Sequence, residues 1–489
     1  MKRKILVLGS GFSSLSSASY LAQMGHEVHV FEKNDSLGGR ARQLKKDGFT
    51  FDMGPSWYWM PDVFEKYFSD FGKKPADYYN LLRLDPGYQV YFGKGDTIEI
   101  GDSLDKIYKV FEKEEKGSGK KLQSFIKEAR TNYDIAILDL VYRPGISPLE
   151  LVTAKTIKKF GYFLTNIKKQ VVRKFKNPKL RQILQFPVLF LGAKPQNTPA
   201  FYNFMNFADF GLGTWHPDKG MYSIVKAMVA LAEELGVQFH TNSPVEKIIV
   251  EKGRAIAIET NGQQINGDFV LSGADYHHTE TLLPKSFRMY DEAYWDKKTF
   301  APSSLLFYVG LDKKVKNVHH HTLFFDVDFD KHAQQIYDRP EWPTEPLFYA
   351  NFPSITDSTM APKGNEAMFI LIPIAPGIED NQSLREKYFD IVINRLEKLT
   401  DQAIKPHILF NESFCVKDFV SEYNSYKGNA YGMANTLFQT AFLRPKLKSK
   451  KVEGLYFCGQ LTVPGPGVPP ALISGKLVAG LIEEAIYNQ

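Results

Sequence analysis

The first forty residues constrain this chain more than any other stretch. Ile5-Leu6-Val7-Leu8 is a short unbroken apolar run, the pattern of a parallel strand buried on both faces. Gly9-Ser10-Gly11-Phe12-Ser13-Ser14 follows. Leu15, Ala18, Leu21 and Ala22 then recur at helical spacing until Gly25. Val28-His29-Val30-Phe31 is a second strand, ending at Glu32. Together these form a βαβ unit, the nucleus of a doubly wound α/β sheet. Its turn also carries chemistry. Gly9 permits the tight turn, and Gly11 lets a pyrophosphate approach the backbone at a helix N-terminus, where free N–H groups and the dipole favour anions. Glu32 stands 21 residues after Gly11, where an acid that binds a ribose hydroxyl is expected. Its charge would repel a 2′-phosphate, which argues against NADP. Ser14 replaces the third glycine of the usual pattern, at a position that needs a small residue.

Six residues beyond Glu32 lies Gly38-Gly39-Arg40, then Arg42. Paired glycines allow a second close approach to a dinucleotide, and the planar fork of Arg40 suits phosphate oxygens. The fingerprint with this GGR resembles the FAD-binding half of the amine-oxidase and phytoene-desaturase flavoproteins, which implies FAD rather than NAD. Four further blocks narrow the resemblance: GFTFDMGPSWYWMPD at 48–62, TPAFYNFMNFADFGLGTWHPDKGM at 198–221, YNSYKGNAYGMANTLFQTAFL at 423–443 and GLYFCGQLTVPGPGVPPALISGKLVAG at 454–480. They resemble the bacterial-type phytoene desaturases, in the carotenoid and retinoid oxidoreductase group, from end to end of the chain.

That resemblance implies an α/β fold: a Rossmann-type FAD-binding domain, a mixed-sheet substrate domain and a helical, membrane-facing insertion. The expected FAD domain is discontinuous, 1–80, 214–290 and 445–489. The substrate domain would take 81–105 and 291–444, and the insertion 106–213. The implied cofactor pocket comprises Gly9, Gly11, Ser13, Ser14, Glu32, Lys33, Gly38, Gly39, Arg40, Gly54, Pro55 and Val245. Gly459, Gly465, Gly467 and Val468 join it near the flavin ring. The local pattern agrees at the C-terminus: residues 455–458 read as a strand, 459–470 as a Gly/Pro turn and 471–482 as a helix. Free N–H groups there suit the negative charge of a reduced flavin.

The implied reaction is desaturation of phytoene toward lycopene, with a hydride passing to FAD and a proton lost. Oxygen or a quinone would take the electrons. The alternatives are a desaturase, isomerase or saturase for another carotenoid, such as a hydroxycarotenoid 3,4-desaturase, and a flavin-free prenyl-binding protein of the GDP-dissociation-inhibitor type. The intact Glu32, GGR and C-terminal glycine turn argue against the last. Such chemistry needs a long apolar channel, for which Trp57, Tyr58 and Trp59 are candidates. Asp209, Glu422, Tyr423 and Tyr431 lie in family-like blocks, but no single general base stands out.

Two cysteines, Cys415 and Cys458, exclude a disulfide scaffold and a cysteine-rich metal site. His319-His320-His321 does not chelate naturally, because adjacent strand residues point to opposite faces; a solvated strand end is expected, and no metal. His277-His278 reads likewise. The net charge of +6 is concentrated: residues 155–181 carry ten Lys or Arg and no acid, so the remainder is acidic. Nucleic acid is therefore a poor partner. Ile157, Phe160, Phe163, Leu164, Ile167, Val171 and Phe175 alternate with lysines near helical spacing, until Asn177-Pro178. This reads as a basic amphipathic stretch facing an anionic membrane. The apolar run after MKRK is too short for a signal peptide, and no run reaches the length of a spanning helix. A peripheral protein on the cytoplasmic side of a membrane is the expectation.

Overall fold

The computed structural model describes residues 2–152, 161, 165–436 and 438–488. Its centre is a five-stranded parallel sheet in the order Leu455–Phe457, Phe269–Ser272, Lys4–Leu8, Glu27–Phe31, Gln238–His240. The strands come from three widely separated stretches of chain. The unbroken apolar run at residues 5–8 is explained by two cores. Ile5 and Val7 pack with the helices on one face, while Leu6 and Leu8 pack with Ile248 and Ile258 of a three-stranded antiparallel meander on the other.

Three helices cover the first face: Phe12–Gln23, Tyr222–Glu234 and Val468–Tyr487. The first and last touch backbone to backbone. A Cβ on Gly475 would lie 2.5 Å from Ser13 O and 2.6 Å from Ser16 Cβ. Ser16 Oγ donates to Leu472 O across the same crossing, at 2.7 Å. Gly475→Val should therefore force the helices apart and cost about 3 kcal/mol, seen as a lower melting temperature of the holoprotein. An unchanged melting temperature would show that the crossing has slack.

The C-terminal helix starts at Val468, three residues earlier than the sequence pattern suggests. Pro469 and Pro470 fall in its first turn, where the missing N–H groups have no intrahelical partner to lose.

A second sheet has seven strands in the order Ile408–Phe414, Ser303–Leu311, Glu366–Ile374, Phe348–Asn351, His321–Phe324, Tyr88–Gly93, Asp96–Ile100. Only the His321–Phe324 and Tyr88–Gly93 pair is parallel. Alternation again serves two surroundings. Leu305, Phe307 and Val309 pack with Val392, Ile393 and Leu396 of the helix Gln382–Thr400, whereas Ser304 and Leu306 face a central cavity. Helices including Leu104–Glu114, Ser118–Leu138, Ile167–Lys174, Pro178–Gln185 and Phe204–Phe210 form the remaining layer. Among the described residues, no helix is long and apolar enough to cross a membrane.

The basic stretch differs from its expected role where it is described. Ile167, Val171 and Phe175 are fully buried, so this part of the apolar stripe faces the protein core and not a bilayer. Lys168 pairs with Asp330 at 2.8 Å, Lys174 with Glu128 at 3.3 Å and Lys179 with Asp96 at 2.5 Å. Ile157, Lys158, Lys159, Phe160, Phe163 and Leu164 lie outside the described residues.

Candidate active site

A cavity of about 880 Å³ reaches from the C-terminal ends of the parallel strands to the inner face of the seven-stranded sheet, where α/β folds bind ligands. Gly9, Gly11, Ser13, Glu32, Lys33, Gly38, Gly39, Arg40, Gly54, Pro55, Val245, Gly459, Gly467 and Val468 line it, as do Trp57 and Trp59. Ser14, Gly465 and Tyr58 do not. Ser14 is buried against Gly273, whose missing Cβ leaves room for the serine hydroxyl, so it serves the helix–strand packing. Gly465 lies against the Asn435 side chain. Tyr58 sits between two cavity-lining tryptophans in an extended segment and so points the other way. It stacks on Phe64 at 4.3 Å, and its hydroxyl meets that of Tyr79 at 2.9 Å. It is a core residue rather than a channel wall.

At the nucleotide end, Gly9 has φ +82°, the left-handed conformation its turn requires. Glu32 Oε2 accepts from Ser10 N at 3.0 Å and Ser10 Oγ at 2.6 Å, and Oε1 accepts from Asn34 N at 3.0 Å. Gly38 N donates to Ser10 O at 3.2 Å and is 3.1 Å from Ser10 Oγ. Ser10 thus ties the first glycine turn, the acid and the GGR turn together. Sequence reasoning passed over it, since a serine between glycines gives no signal of its own.

Arg40 donates to Ser425 Oγ at 3.1 Å and Asn429 O at 3.4 Å, and its Nε has no partner. Burial lowers its pKa, and the nearby Asp275 opposes that shift. Arg444, also missed, is wholly buried. It donates to Thr462 O, Gln460 O, Met433 O, Gln439 O and Asn435 Oδ1 at 2.7–3.0 Å. In this way it fastens the turn that leads to Gly465 and Gly467.

These residues fit FAD. No side chain caps the helix N-terminus at Gly11 or the one at Gly467, which leaves first-turn N–H groups to a ligand. A Cβ on Gly11 would meet nothing within 4 Å, so backbone and cavity are in open contact there. The unpaired Arg40 Nε is a donor suited to an anion.

Comparison with known proteins decides the family. Residues 12–482 match the flavin containing amine oxidoreductase profile. The chain is 42% identical to a carotenoid 3,4-desaturase of Haloarcula japonica, over 98% of each chain. It is 31% identical to a zeta-carotene-forming phytoene desaturase of Myxococcus xanthus, over 97% of this chain and 93% of that one. The chain belongs to the flavin-containing amine oxidoreductases, among the carotenoid desaturases. An oxidoreductase from Methanosarcina mazei shares the fold at 18% identity, with a TM-score of 0.65 over 98% of this chain and 100% of that one. This desaturase-family protein is accordingly an FAD flavoprotein and an oxidoreductase.

In the substrate half of the flavoprotein, Phe329, Ala333, Ile336 and Tyr337 of the helix Phe329–Tyr337 line the cavity opposite Leu306, Leu323 and Leu371 of the sheet. His332 also lines it, but both ring nitrogens are engaged. Nδ1 accepts from Leu347 N at 2.7 Å and Nε2 donates to Pro373 O at 2.9 Å. Burial pushes its pKa down to about 4, so it is neutral.

The candidate bases separate. Glu422 pairs with Arg42 at 2.9 Å, and Tyr423 lies 5.2 Å from the Arg40 guanidinium. Asp209 accepts from Tyr88 OH at 2.8 Å, away from the cavity lining. Tyr431 lines the cavity. The histidine run is not a solvated strand end. His321–Phe324 lies inside the sheet between two other strands, so His320 and His321 are buried, while His319 reaches Glu99 at 3.1 Å.

Proposed function

We propose that this flavoprotein desaturates an oxygenated carotenoid at its 3,4 position, in preference to the phytoene that the sequence resemblance puts first. The Haloarcula relative supports the position, being more similar than the phytoene desaturase from Myxococcus. The observation that carries the substrate class is Ser304. Its Oγ is buried in the wall of a largely apolar cavity and has no hydrogen-bond partner. Tyr337 and Tyr431 add two phenols to the same cavity; burial raises both, Tyr431 to about 12. A pure hydrocarbon would leave the Ser304 hydroxyl unpaired, at about 1–3 kcal/mol, whereas a substrate oxygen would pair with it and select against substrates that lack one.

FAD, when bound, supplies the hydride acceptor. The chain holds and shields the reactants. Glu32 and the two glycine turns hold the dinucleotide, and Trp57 and Trp59 wall the passage beside Gly54 and Pro55. The electrons then leave to oxygen or a quinone. A carotenoid resides in hydrocarbon, so we place the membrane-facing surface at the exposed Leu138, Ile146, Leu149 and Val152 together with Phe438 and Leu443. The two segments adjoin where Lys446 Nζ donates to Gly145 O at 3.0 Å. The protein would then bind peripherally at the cytoplasmic side of the membrane.

Product chromatograms from three hosts test the substrate. One host makes only phytoene, one lycopene and one a hydroxylated acyclic carotenoid. The expected result is loss of two hydrogens from the hydroxylated carotenoid alone, with a red-shifted spectrum. Conversion of phytoene with the hydroxylated compound untouched would restore the phytoene desaturase reading.

A further inference from the structure

We propose that Tyr349 and His321 take up the proton lost by the substrate. This rests on the desaturase reading above. Ser56 follows the Gly54-Pro55 turn, and Ser56 and Tyr349 both line the cavity. The Tyr349 hydroxyl is 3.0 Å from Ser56 Oγ and 2.6 Å from His321 Nδ1, and the Trp57 side chain also hydrogen-bonds it. His321 lies flat against the Trp57 ring, at 4.0 Å and 10°. Asn351 Nδ2 approaches the same Nδ1 at 3.3 Å. An amide NH2 donates, so Nδ1 is the acceptor and the imidazole carries its proton on Nε2. Tyr349 therefore donates to His321, and Nε2 has no partner.

Behind this pair the His320 ring is 4.5 Å from His321, and the His216 ring is 4.6 Å from His320. His216 Nε2 is 3.4 Å from Asp357 Oδ2. The Asp357 carboxylate also accepts from Lys219 N at 2.6 Å, Thr359 N at 2.9 Å and Thr359 Oγ1 at 2.6 Å, and His216 together with these donors outweighs its burial and holds it well below the usual range and ionised. Asp52 faces both His216 and Tyr349 and accepts from Met221 N at 2.7 Å, and Tyr431 faces Tyr349 from the cavity. The His320 and His321 rings meet edge-on and His216 is tilted to His320, and no group among the described residues is arranged to hold a metal. Burial keeps His320 and His321 neutral at rest.

The step balances as follows. One C–H bond of the substrate gives a hydride to the bound flavin. The neighbouring C–H gives its proton to Tyr349 Oη as the phenol passes its own proton to His321 Nδ1. The electron pair left on carbon becomes the new double bond. His321 is then an imidazolium, and the ionised Asp357 lies behind it across His320 and His216.

Tyr349→Phe and His321→Asn holoproteins test this. Single-turnover polyene formation should fall about 100-fold in each, with FAD content and KM unchanged and the wild-type solvent deuterium effect abolished. Nitrogen NMR of histidine-labelled holoprotein gives a readout independent of turnover. The signal lost in His321→Asn should report an unprotonated, hydrogen-bonded Nδ1 and should shift in Tyr349→Phe. A variant within about threefold of the wild-type rate with its solvent effect intact would overturn the relay. So would a His321 protonated on Nδ1 in the wild-type spectrum, which needs no variant to fold. A wild type that desaturates no carotenoid would sink the functional reading instead.

Discussion

Glu32→Ala is expected to purify colourless. The Glu32 carboxylate is buried and already accepts three hydrogen bonds, from Ser10 N, Ser10 Oγ and Asn34 N. Its remaining lone pairs are what a ribose would use. Removing it leaves the buried Ser10 donors unpaired, at about 1–3 kcal/mol each. It also removes a charge-assisted contact to the nucleotide, worth about 1.5–3 kcal/mol. Ser10 contacts Gly38 as well, so the GGR turn loosens together with the first turn. FAD affinity should fall by about 1000-fold or more. The ratio of flavin to protein absorbance on purification, then titration of the apoprotein with FAD, measures it. Glu32→Gln keeps one acceptor and should fall between the two. A Glu32→Ala protein that purifies with a full complement of FAD would remove Glu32 from the site.

The parts of this fold that were legible in the sequence are those fixed by near neighbours in the chain. The strand–turn–helix–strand unit at residues 4–31 depends on local apolar spacing and two glycines, and the structure follows it to within a residue. The misplaced features depend on what lies across space. An amphipathic stripe shows that Ile167, Val171 and Phe175 share a face, but not that the protein itself covers that face. His320 and His321 read as a loose end because strand order is non-local; the partners of residues 321–324 lie at 348–351 and 89–91. Tyr58 reads as a channel residue because it stands between Trp57 and Trp59 beside the Gly54-Pro55 turn, although a period of two sends it into the core. Ser10, Ser304, Tyr349 and Arg444 gave no signal because their importance lies in which atoms they meet. A lone hydroxyl or guanidinium looks the same in a sequence whether it faces water or a cavity.

Ala333→Trp should close the substrate passage while sparing the cofactor. Ala333 lies on the helix Phe329–Tyr337, between Phe329 and Ile336 on the side that faces the cavity. Its methyl group is almost fully buried, so the indole has no route to solvent without displacing the helix. The larger side chain must occupy space that a long polyene would thread. The nucleotide turns at Gly9, Gly38 and Gly467 belong to other elements and keep their geometry. The holoprotein should therefore purify yellow, with a normal flavin spectrum and normal reduction by dithionite, which needs no channel. Carotenoid turnover should drop by about 100-fold or more, since small displacements from the reactive geometry already cost that much. Lost flavin would mean that the substitution had disturbed the fold. A yellow protein with full carotenoid turnover would mean that the polyene does not pass along this helix.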